Sequence, residues 1–530
     1  MSNLLLLMPF IVLCCGGMVC VVMGVAKGEG VRRRICDAAL VAIVVSLALS
    51  VYAYDRLGFG AAGFTSGDKS LHLTAGGFFA SVISQAVGLL LLLISWEPRL
   101  HSDRGVDGPG RGISVAGEYF GMLLFSLSGV VLVTLANNLI VLFLALELVS
   151  VPTYVMVTLS RPQGQAKEAG LKYFFLGAMA AVLTVYGFSF LYGLAGSCDY
   201  DVIRRSLMSG LAAHPNSSFY ILVLLLVVAG LCFKIAALPL HFYVADVYQG
   251  ASCPVTALLA FMPKLAGLYG LLIVLSLIGG PLWSGENLVG HATGWTLWIL
   301  AAGTMTVGNV LAMIQNNVKR ILAYSSVAHS GTMMLVLVVG SEVSAGMSAM
   351  LFYLCVYAIA TLGIFGVLGL MEREGDEAQE LKDLSGMSKR HPAMAAAVAI
   401  CTFSLIGMPL TGGFVGKFYV FSSLVGQPEI PYRAVLLVIA LVNAAVGAYY
   451  YLRIIGACYL EDGEFTAKLH SLRPAQASGV ALASVLTIIL GVAPGVLIKP
   501  MDAEVNGSRE ISVVKETDIS AETAGAVQPE

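Results

Sequence analysis

The chain has 530 residues, of which 58% are hydrophobic and only 12% charged, with a formal net charge of −2. Soluble globular domains carry roughly 25% charged residues, so this composition excludes an ordinary water-soluble domain and makes a bilayer the natural solvent. No basic cluster stands out, which removes nucleic acid from the expected partners and leaves lipid as the first of them.

A helix needs about 20 apolar residues to cross about 30 Å of hydrocarbon, and the chain offers about fourteen such runs. The first, 3–26, has no basic stretch before it and no small-residue cleavage pattern, so it reads as a retained span and not a signal peptide. Further spans are expected at 36–54, 75–96, 116–134, 136–159, 170–193 and 219–240. The rest fall at 254–276, 294–314, 320–340, 345–371, 391–425, 434–460 and 477–499. The expected fold class is an all-α polytopic membrane protein. From Met501 onward the chain is polar and acidic and reads as a disordered tail.

Cytoplasmic loops retain Lys and Arg, and this sets the orientation. With the N-terminus outside, Arg32, Arg33, Arg34, Arg99, Arg104, Arg111, Lys167 and Arg320 all fall inside. The opposite loops hold only Arg56, Lys69, Arg204, Arg205 and Arg433, so both termini are expected on the outer, periplasmic side of a bacterial plasma membrane. The ten cysteines are mostly isolated in apolar runs, as at Cys232, Cys355 and Cys401, without a CxxC pair or metal-ligand spacing. They read as small buried apolar residues.

Against this background the charges inside the spans stand out, because an ionisable group at the bilayer centre costs several kcal/mol unless it is paired or neutral. Glu147 sits near the middle of the fifth span, in LFLALELVSVPTYV. Lys234 lies deep in the seventh, five residues before Pro239, which has no N–H and breaks the helix. A lysine beside such a break can meet water, and one whose carboxylate partner moves can load and release a proton. Lys264 follows Pro263 in the eighth span with the same features of depth and kink. Lys417 lies in CTFSLIGMPLTGGFVGKFYVF, where Gly407, Pro409, Gly412 and Gly413 divide an overlong run into two half-helices. The alternative for each charge is a static pair that only fixes helix packing.

Lys172 is only a few residues into the sixth span, where snorkelling to the interface is an equal explanation. His241, just after the seventh-span break, and His329, inside the tenth span, are open between a relay role and simple hydrogen bonding. Tyr324, Ser325, Ser326 and Thr332 are placed to hold water near His329.

The segment AALPLHFY around Pro239 resembles IGMPLTGGF around Pro409, five spans later. An odd offset reverses the direction of entry, as in transporters built from inverted repeats, so spans 4–8 and 9–13 are expected to form two such units. The expected divisions are 1–112 (first three spans and a cytoplasmic loop), 113–278, 292–462, 463–500 (last span) and the tail 501–530. The run of Gly108, Gly110 and Gly112 has no preceding strand and is no dinucleotide fingerprint. No Walker motif, metal cluster or nucleophile–base pair appears.

Several of these motifs together resemble one family, the antiporter-like membrane subunits of bacterial NADH:quinone oxidoreductase (respiratory complex I), in the branch of subunit N. The resemblance is carried by LALELVSVPTYV (144–155), EAGLKYFFLGA (168–178), FKIAALPLHFYVADVYQGASCPV (233–255), PKLAG (263–267), NNVKRILAYSSVAHSG (316–331) and GMPLTGGFVGKFYVF (407–421). It implies fourteen helices, two inverted five-helix repeats and proton translocation driven by quinone reduction elsewhere in the complex. It further implies that Glu147 and Lys234 are a priming charge pair, Lys264 a central relay and Lys417 the residue exchanging protons with the far side, and that Lys172 is the family's sixth-helix lysine. The partners implied are the sister antiporter-like subunits and the small membrane subunits. No cofactor is implied in this chain; FMN, iron–sulfur clusters and quinone are implied in partner subunits. The sequence departs from the family at Tyr243, where tryptophan is common, and at Gln249, where an acidic residue is common.

Two other readings share the fold: an Mrp-type cation/proton antiporter subunit or a subunit of a related hydrogenase complex, and a passive scaffold. The reading as subunit N of a redox-driven proton pump is favoured over these by Lys417, where the sister subunit M usually has glutamate, and by the short polar tail in place of the lateral helix of subunit L.

Overall fold

A computed structural model describes residues 2–26, 30–56, 64–66, 70–96, 116–161, 164–213, 218–278, 282–283, 288–339, 343–373, 376–377, 379–425, 430–461, 468–469 and 474–503. The basic residues Lys69, Arg99, Arg104 and Arg111, the run Gly108 to Gly112 and the tail beyond 503 lie outside them.

The fold is helical throughout, with apolar residues facing outward as well as inward, as a lipid-solvated bundle requires. Helices α1 (Ser2–Gly24), α2 (Val31–Arg56), α3 (Ala75–Ile94) and α4 (Ala116–Leu135) form the N-terminal group, and β1 (Phe64–Thr65) with β2 (His72–Leu73) makes a short antiparallel ribbon between α2 and α3. Where α1 crosses α4, a Cβ on Gly117 would lie 2.5 Å from the Cα of Gly24, so the two backbones touch. Without a hydrophobic drive between helices in lipid, such close van der Waals contact is the main source of association.

Next come α5 (Leu139–Leu159), α6 (Gly164–Ala195), α7 (Tyr200–Ala213), α8 (Ser218–Lys234), α9 (Val244–Gly250), α10 (Cys253–Leu259) and α11 (Met262–Leu277). The side chain of Asn138 caps α5, accepting from the Ile140 N–H at 2.9 Å. Helix α7 stands where the sequence reading placed only a loop. Its buried Tyr200, Ile203 and Leu207 recur at helical spacing, while Arg204 and Arg205 face out.

The second half holds α12 (Leu288–Met313), α13 (Val318–Val339), α14 (Val343–Leu368), the short α15 (Met387–Arg390), α16 (Pro392–Ile406), α17 (Gly412–Val425), α18 (Arg433–Tyr459) and α19 (Pro474–Val492). A small antiparallel ribbon of β3 (Met371–Arg373), β4 (Asp376–Glu377) and β5 (Lys468–Leu469), in the order β4-β3-β5, joins two loops on one side. The last span, expected to run to 499, stops at Val492. The chain turns at Pro494, which cannot continue the helix, and a further helix, α20 (495–503), follows.

Among the described residues twelve helical stretches are long and apolar enough to cross a membrane, and three shorter apolar helices, α8, α16 and α17, accompany them. Both predicted breaks are present. Helix α8 stops at Lys234, and a turn through Ala236 (φ +59°) leads past Pro239 to α9. Helix α16 stops at Ile406, and a turn through Gly407 (φ +90°) and Leu410 (φ +69°) leads to α17. The eighth span is interrupted before Pro263, between α10 and α11. Helices α11, α13 and α14 are almost wholly buried and form the centre of the bundle, whereas α6 and α18 expose Phe175, Val182, Val438 and Leu441.

A candidate proton path through the bundle centre

Each break frees backbone groups in the membrane interior, and ionisable side chains gather where those groups are freed. Glu147 is the ninth residue of the 21-residue α5, about 12 Å along its axis at 1.5 Å per residue. Lys234 is the last residue of α8. Its Nζ lies 2.9 Å from Glu147 Oε1 and 2.6 Å from Ser150 Oγ, one turn further along α5. The lysine side chain is 5% exposed and the glutamate 24%. Both charges are therefore paired, but Glu147 also reaches the flank of the subunit, on the helix face shared with Leu144 and Val151.

Lys234 and Lys264 line one small cavity together with Tyr173, Tyr243, Tyr248 and Pro263, with room for about one water. Tyr243 donates to the carbonyl of Phe233 at 2.9 Å and stacks on Tyr173 at 5.2 Å between ring centroids. The departure from tryptophan thus leaves an aromatic wall in place. Among the described residues no carboxylate contacts Lys264. Its Nζ donates to Ser326 O and, at 2.7 Å, to Ser330 Oγ, and lies 5.4 Å from the ring centre of Tyr357. Ser330 in turn donates at 2.7 Å to the carbonyl of Ile235, the first residue of the α8 break. The break is thereby tied to the second lysine.

His329, on the same helix as Ser326 and Ser330, holds one tyrosine hydroxyl at each ring nitrogen: Tyr353 at 2.6 Å from Nδ1 and Tyr451 at 2.9 Å from Nε2. Its ring packs 4.8 Å from that of Tyr357, the ring beneath Lys264. A second cavity brings His329 together with Lys417, Asn309, Asn443, Tyr450 and Tyr451. Lys417, the sixth residue of α17, donates to Leu405 O at 3.0 Å and Ile406 O at 2.8 Å. Those carbonyls end α16 and lack intrahelical partners, so the negative end of a half-helix serves as the counter-charge.

The structure thus places Glu147, Lys234, Lys264, His329 and Lys417 in one connected interior region. Two other candidates lie apart. Lys172 is 45% exposed and pairs with Glu168 at 2.8 Å and Asp246 at 3.0 Å. Asp246 also receives Arg320 at 2.9 Å, and Arg320 donates at 3.0 Å to Gln249, the position where an acid was expected. His241 is buried but lines neither cavity, and its Nδ1 has no hydrogen-bond partner among the described residues. Of the expected water-holding residues, Ser325 meets Tyr451 and Ser326 meets Tyr248.

Sequence reasoning missed Ser150, Ser330, Tyr353, Tyr451 and the Asn309–Asn443 pair. Only the asparagines carried a signal, as amides within apolar runs; hydroxyls are common in buried helices. Among the described residues no three His, Cys, Asp or Glu side chains converge as metal ligands.

Residues 136–445 match the family model described as "NADH:quinone oxidoreductase/Mrp antiporter, TM". The chain is 36% identical over 464 residues to NADH-quinone oxidoreductase subunit N 1 of Solibacter usitatus, covering 86% of this chain and 88% of that protein. It is 34% identical over 477 residues to NADH-quinone oxidoreductase subunit N of Acidithiobacillus ferrooxidans, covering 89% and 91%. Among solved structures, a chain of respiratory complex I from Thermus thermophilus superposes with a TM-score of 0.72 at 28% identity, covering 93% of this chain and 98% of that one. A chain of the Mrp complex from Dietzia sp. DQ12-45-1b superposes with a TM-score of 0.76 at 19% identity, covering 95% and 97%, a likeness of fold.

Proposed function

Because the chain belongs to the NADH:quinone oxidoreductase/Mrp antiporter family of membrane subunits, we propose that it carries protons across the membrane through the Glu147, Lys234, Lys264 and Lys417 series. It is a multi-pass membrane subunit of the subunit N type, working in an NADH:quinone oxidoreductase beside other membrane subunits. The electron-transfer groups, FMN, iron–sulfur clusters and quinone, are assigned to partner subunits.

The single observation that carries the relay is the Lys234 ammonium, 5% exposed, held by Glu147 and opening on the cavity it shares with Lys264. Loss of the Glu147 charge leaves that ammonium buried without a counter-ion, which favours its neutral form. The released proton passes through water in the cavity to the Lys264 amine, and from there past Ser330, Tyr357 and His329 towards Lys417. Lys417 then releases a proton to the far side, and Lys234 takes a new one from the cytoplasmic side when Glu147 regains its charge, so each lysine returns to the state it began in. Lys172 is assigned a part at the cytoplasmic end through Asp246 and Arg320. His241 is left outside the route by its position.

We assign residues 113–278 and 292–462 as two inverted five-helix units within about fourteen spans, flanked by 1–112, 463–500 and the tail 501–530. Matching Pro–Leu breaks at Pro239 and Pro409, each with positive-φ residues, support this reading. Both termini are assigned to the periplasmic side of a bacterial plasma membrane, on the distribution of Lys and Arg.

The test is proton pumping measured against quinone reduction in membrane vesicles carrying Lys234→Ala or Glu147→Ala. Both variants should lose most of the pumping, and unchanged pumping in both would overturn the relay. The Mrp-type reading rests on a likeness at 19% identity, against 34–36% to subunit N proteins over most of the chain. Gentle purification separates the two: a flavin and iron–sulfur arm should accompany the chain, whereas sodium-dependent exchange by a complex without redox centres would favour the antiporter.

A further inference from the structure

One buried polar cluster beside the Lys417 cavity has no part in the relay as described. Asn309 of α12 faces Asn443 of α18, and the orientation of both amides is set by backbone carbonyls, which only accept. Asn443 Nδ2 donates to Ile439 O at 2.9 Å, so Asn443 Oδ1 must point to Asn309. Asn309 Nδ2 donates to Asn443 O at 3.0 Å and Oδ1 at 2.9 Å, so Asn309 Oδ1 must point the other way. There it meets the hydroxyl of Tyr450 at 2.9 Å. A carbonyl oxygen cannot donate, so the Tyr450 proton is committed to Asn309.

What Tyr450 then presents to the cavity, beside the hydroxyls of Ser325 and Tyr451, is an oxygen that can only accept, its proton turned away. We propose that Asn309 and Asn443 are positioning residues that make Tyr450 an obligate acceptor, stabilising a proton in the cavity shared by His329 and Lys417. The proposal rests on the relay reading and gives its second half a device for retaining the proton near Lys417. The groups facing this cavity are His329 and Thr332 of α13, Lys417 of α17, Asn309 of α12, and Asn443, Tyr450 and Tyr451 of α18, with Tyr353 of α14 behind His329. No carboxylate is among these described groups, so the acceptors available to an ammonium or a protonated water are hydroxyl, amide and carbonyl oxygens.

A hydrogen bond to a charged group is worth enough to move a titration by about one pH unit. Losing an acceptor that favours the protonated state lowers proton affinity, so the alkaline limb of the pumping profile must move to lower pH. The experiment measures proton yield per quinone reduced against pH in vesicles bearing the whole complex. It compares the parent with Asn309→Leu, Tyr450→Phe, the double variant and Lys417→Ala. Tyr450→Phe and Asn309→Leu should each shift the limb down by about one unit, and the double variant should shift it no further than Tyr450→Phe, because both remove the same acceptor. A merely structural role would lower the yield without moving the limb. A parental profile in Tyr450→Phe overturns the proposal, and it decides the matter even if Asn309→Leu fails to assemble. Undiminished pumping in Lys417→Ala overturns the relay itself, whereas loss there beside a parental Tyr450→Phe profile overturns only the role of the amides.

Discussion

Lys417 closes the half-helix that stops at Ile406, with its Nζ 2.8 Å from that residue's carbonyl oxygen. The counter-charge is a helix end, equivalent to about half an elementary charge, where Lys234 has the full carboxylate of Glu147. The two lysines are therefore held by forces of different size.

Lys417→Arg separates holding from releasing. Arginine keeps the positive charge at the end of α16 but does not give up its proton in a protein. Assembly of the complex should be retained and the proton yield per quinone should fall by about an order of magnitude. Pumping by reconstituted vesicles checks this, and a normal yield would mean that Lys417 need not deprotonate.

The Glu147–Lys234 pair should show strong energetic coupling. Removing one partner of a buried pair costs about 3–5 kcal/mol, because the other charge is left buried, whereas removing both is often nearly neutral. Glu147 is partly exposed, which places its own deletion at the lower end. SDS titration of the solubilised complex should find Glu147→Leu and Lys234→Met each less stable than the double variant. Additive losses would show that the pair is not the source of its own placement.

Lys172 should behave unlike the buried lysines. Its pairs with Glu168 and Asp246 are solvent-accessible in the subunit, where such contacts are worth about 0–1 kcal/mol. Lys172→Ala is expected to keep more than about half of the pumping rate that Lys234→Ala loses. Asp246→Asn should cost more than Lys172→Ala, since Asp246 also binds Arg320 and so links α9 to α13. Initial pumping rates of the three variants rank them.

Gly413→Ala tests the second break. A Cβ there would lie 1.8 Å from the carbonyl oxygen of Ser404, a backbone atom that cannot step aside without moving α16. The variant should lose about 3 kcal/mol or more and accumulate poorly in the membrane. Gly456→Ala in α18, where none of the described residues would lie within 4 Å of the added Cβ, should accumulate normally. Immunoblots of membrane fractions distinguish the two.

Much of the architecture was legible because its causes are local. An apolar run long enough to cross a membrane announces a span, and Pro239, Pro263 and Pro409, each without an N–H, mark interruptions, although Pro152 sits inside the continuous α5. Helix α7 was overlooked because its fourteen residues are too short and too polar to register as a span, although its apolar stripe was there to be read. The end of the last span was misjudged because Pro494 was passed over within an apolar stretch.

By itself the sequence determined the solvent, the helical class and the two broken helices, and it singled out Glu147, Lys234, Lys264 and Lys417, since a charge in an apolar run is costly wherever it lands and so marks itself. Tertiary structure alone decided which neutral groups meet the buried charges and one another. Ser150 lies 84 positions from Lys234, Ser330 lies 66 from Lys264, Tyr451 lies 122 from His329, and Asn443 lies 134 from Asn309. Neutral hydroxyls and amides are inexpensive to bury once they find a partner, so no single position betrays them. Only the packing of the helices brings them within hydrogen-bond reach of those charges and of one another.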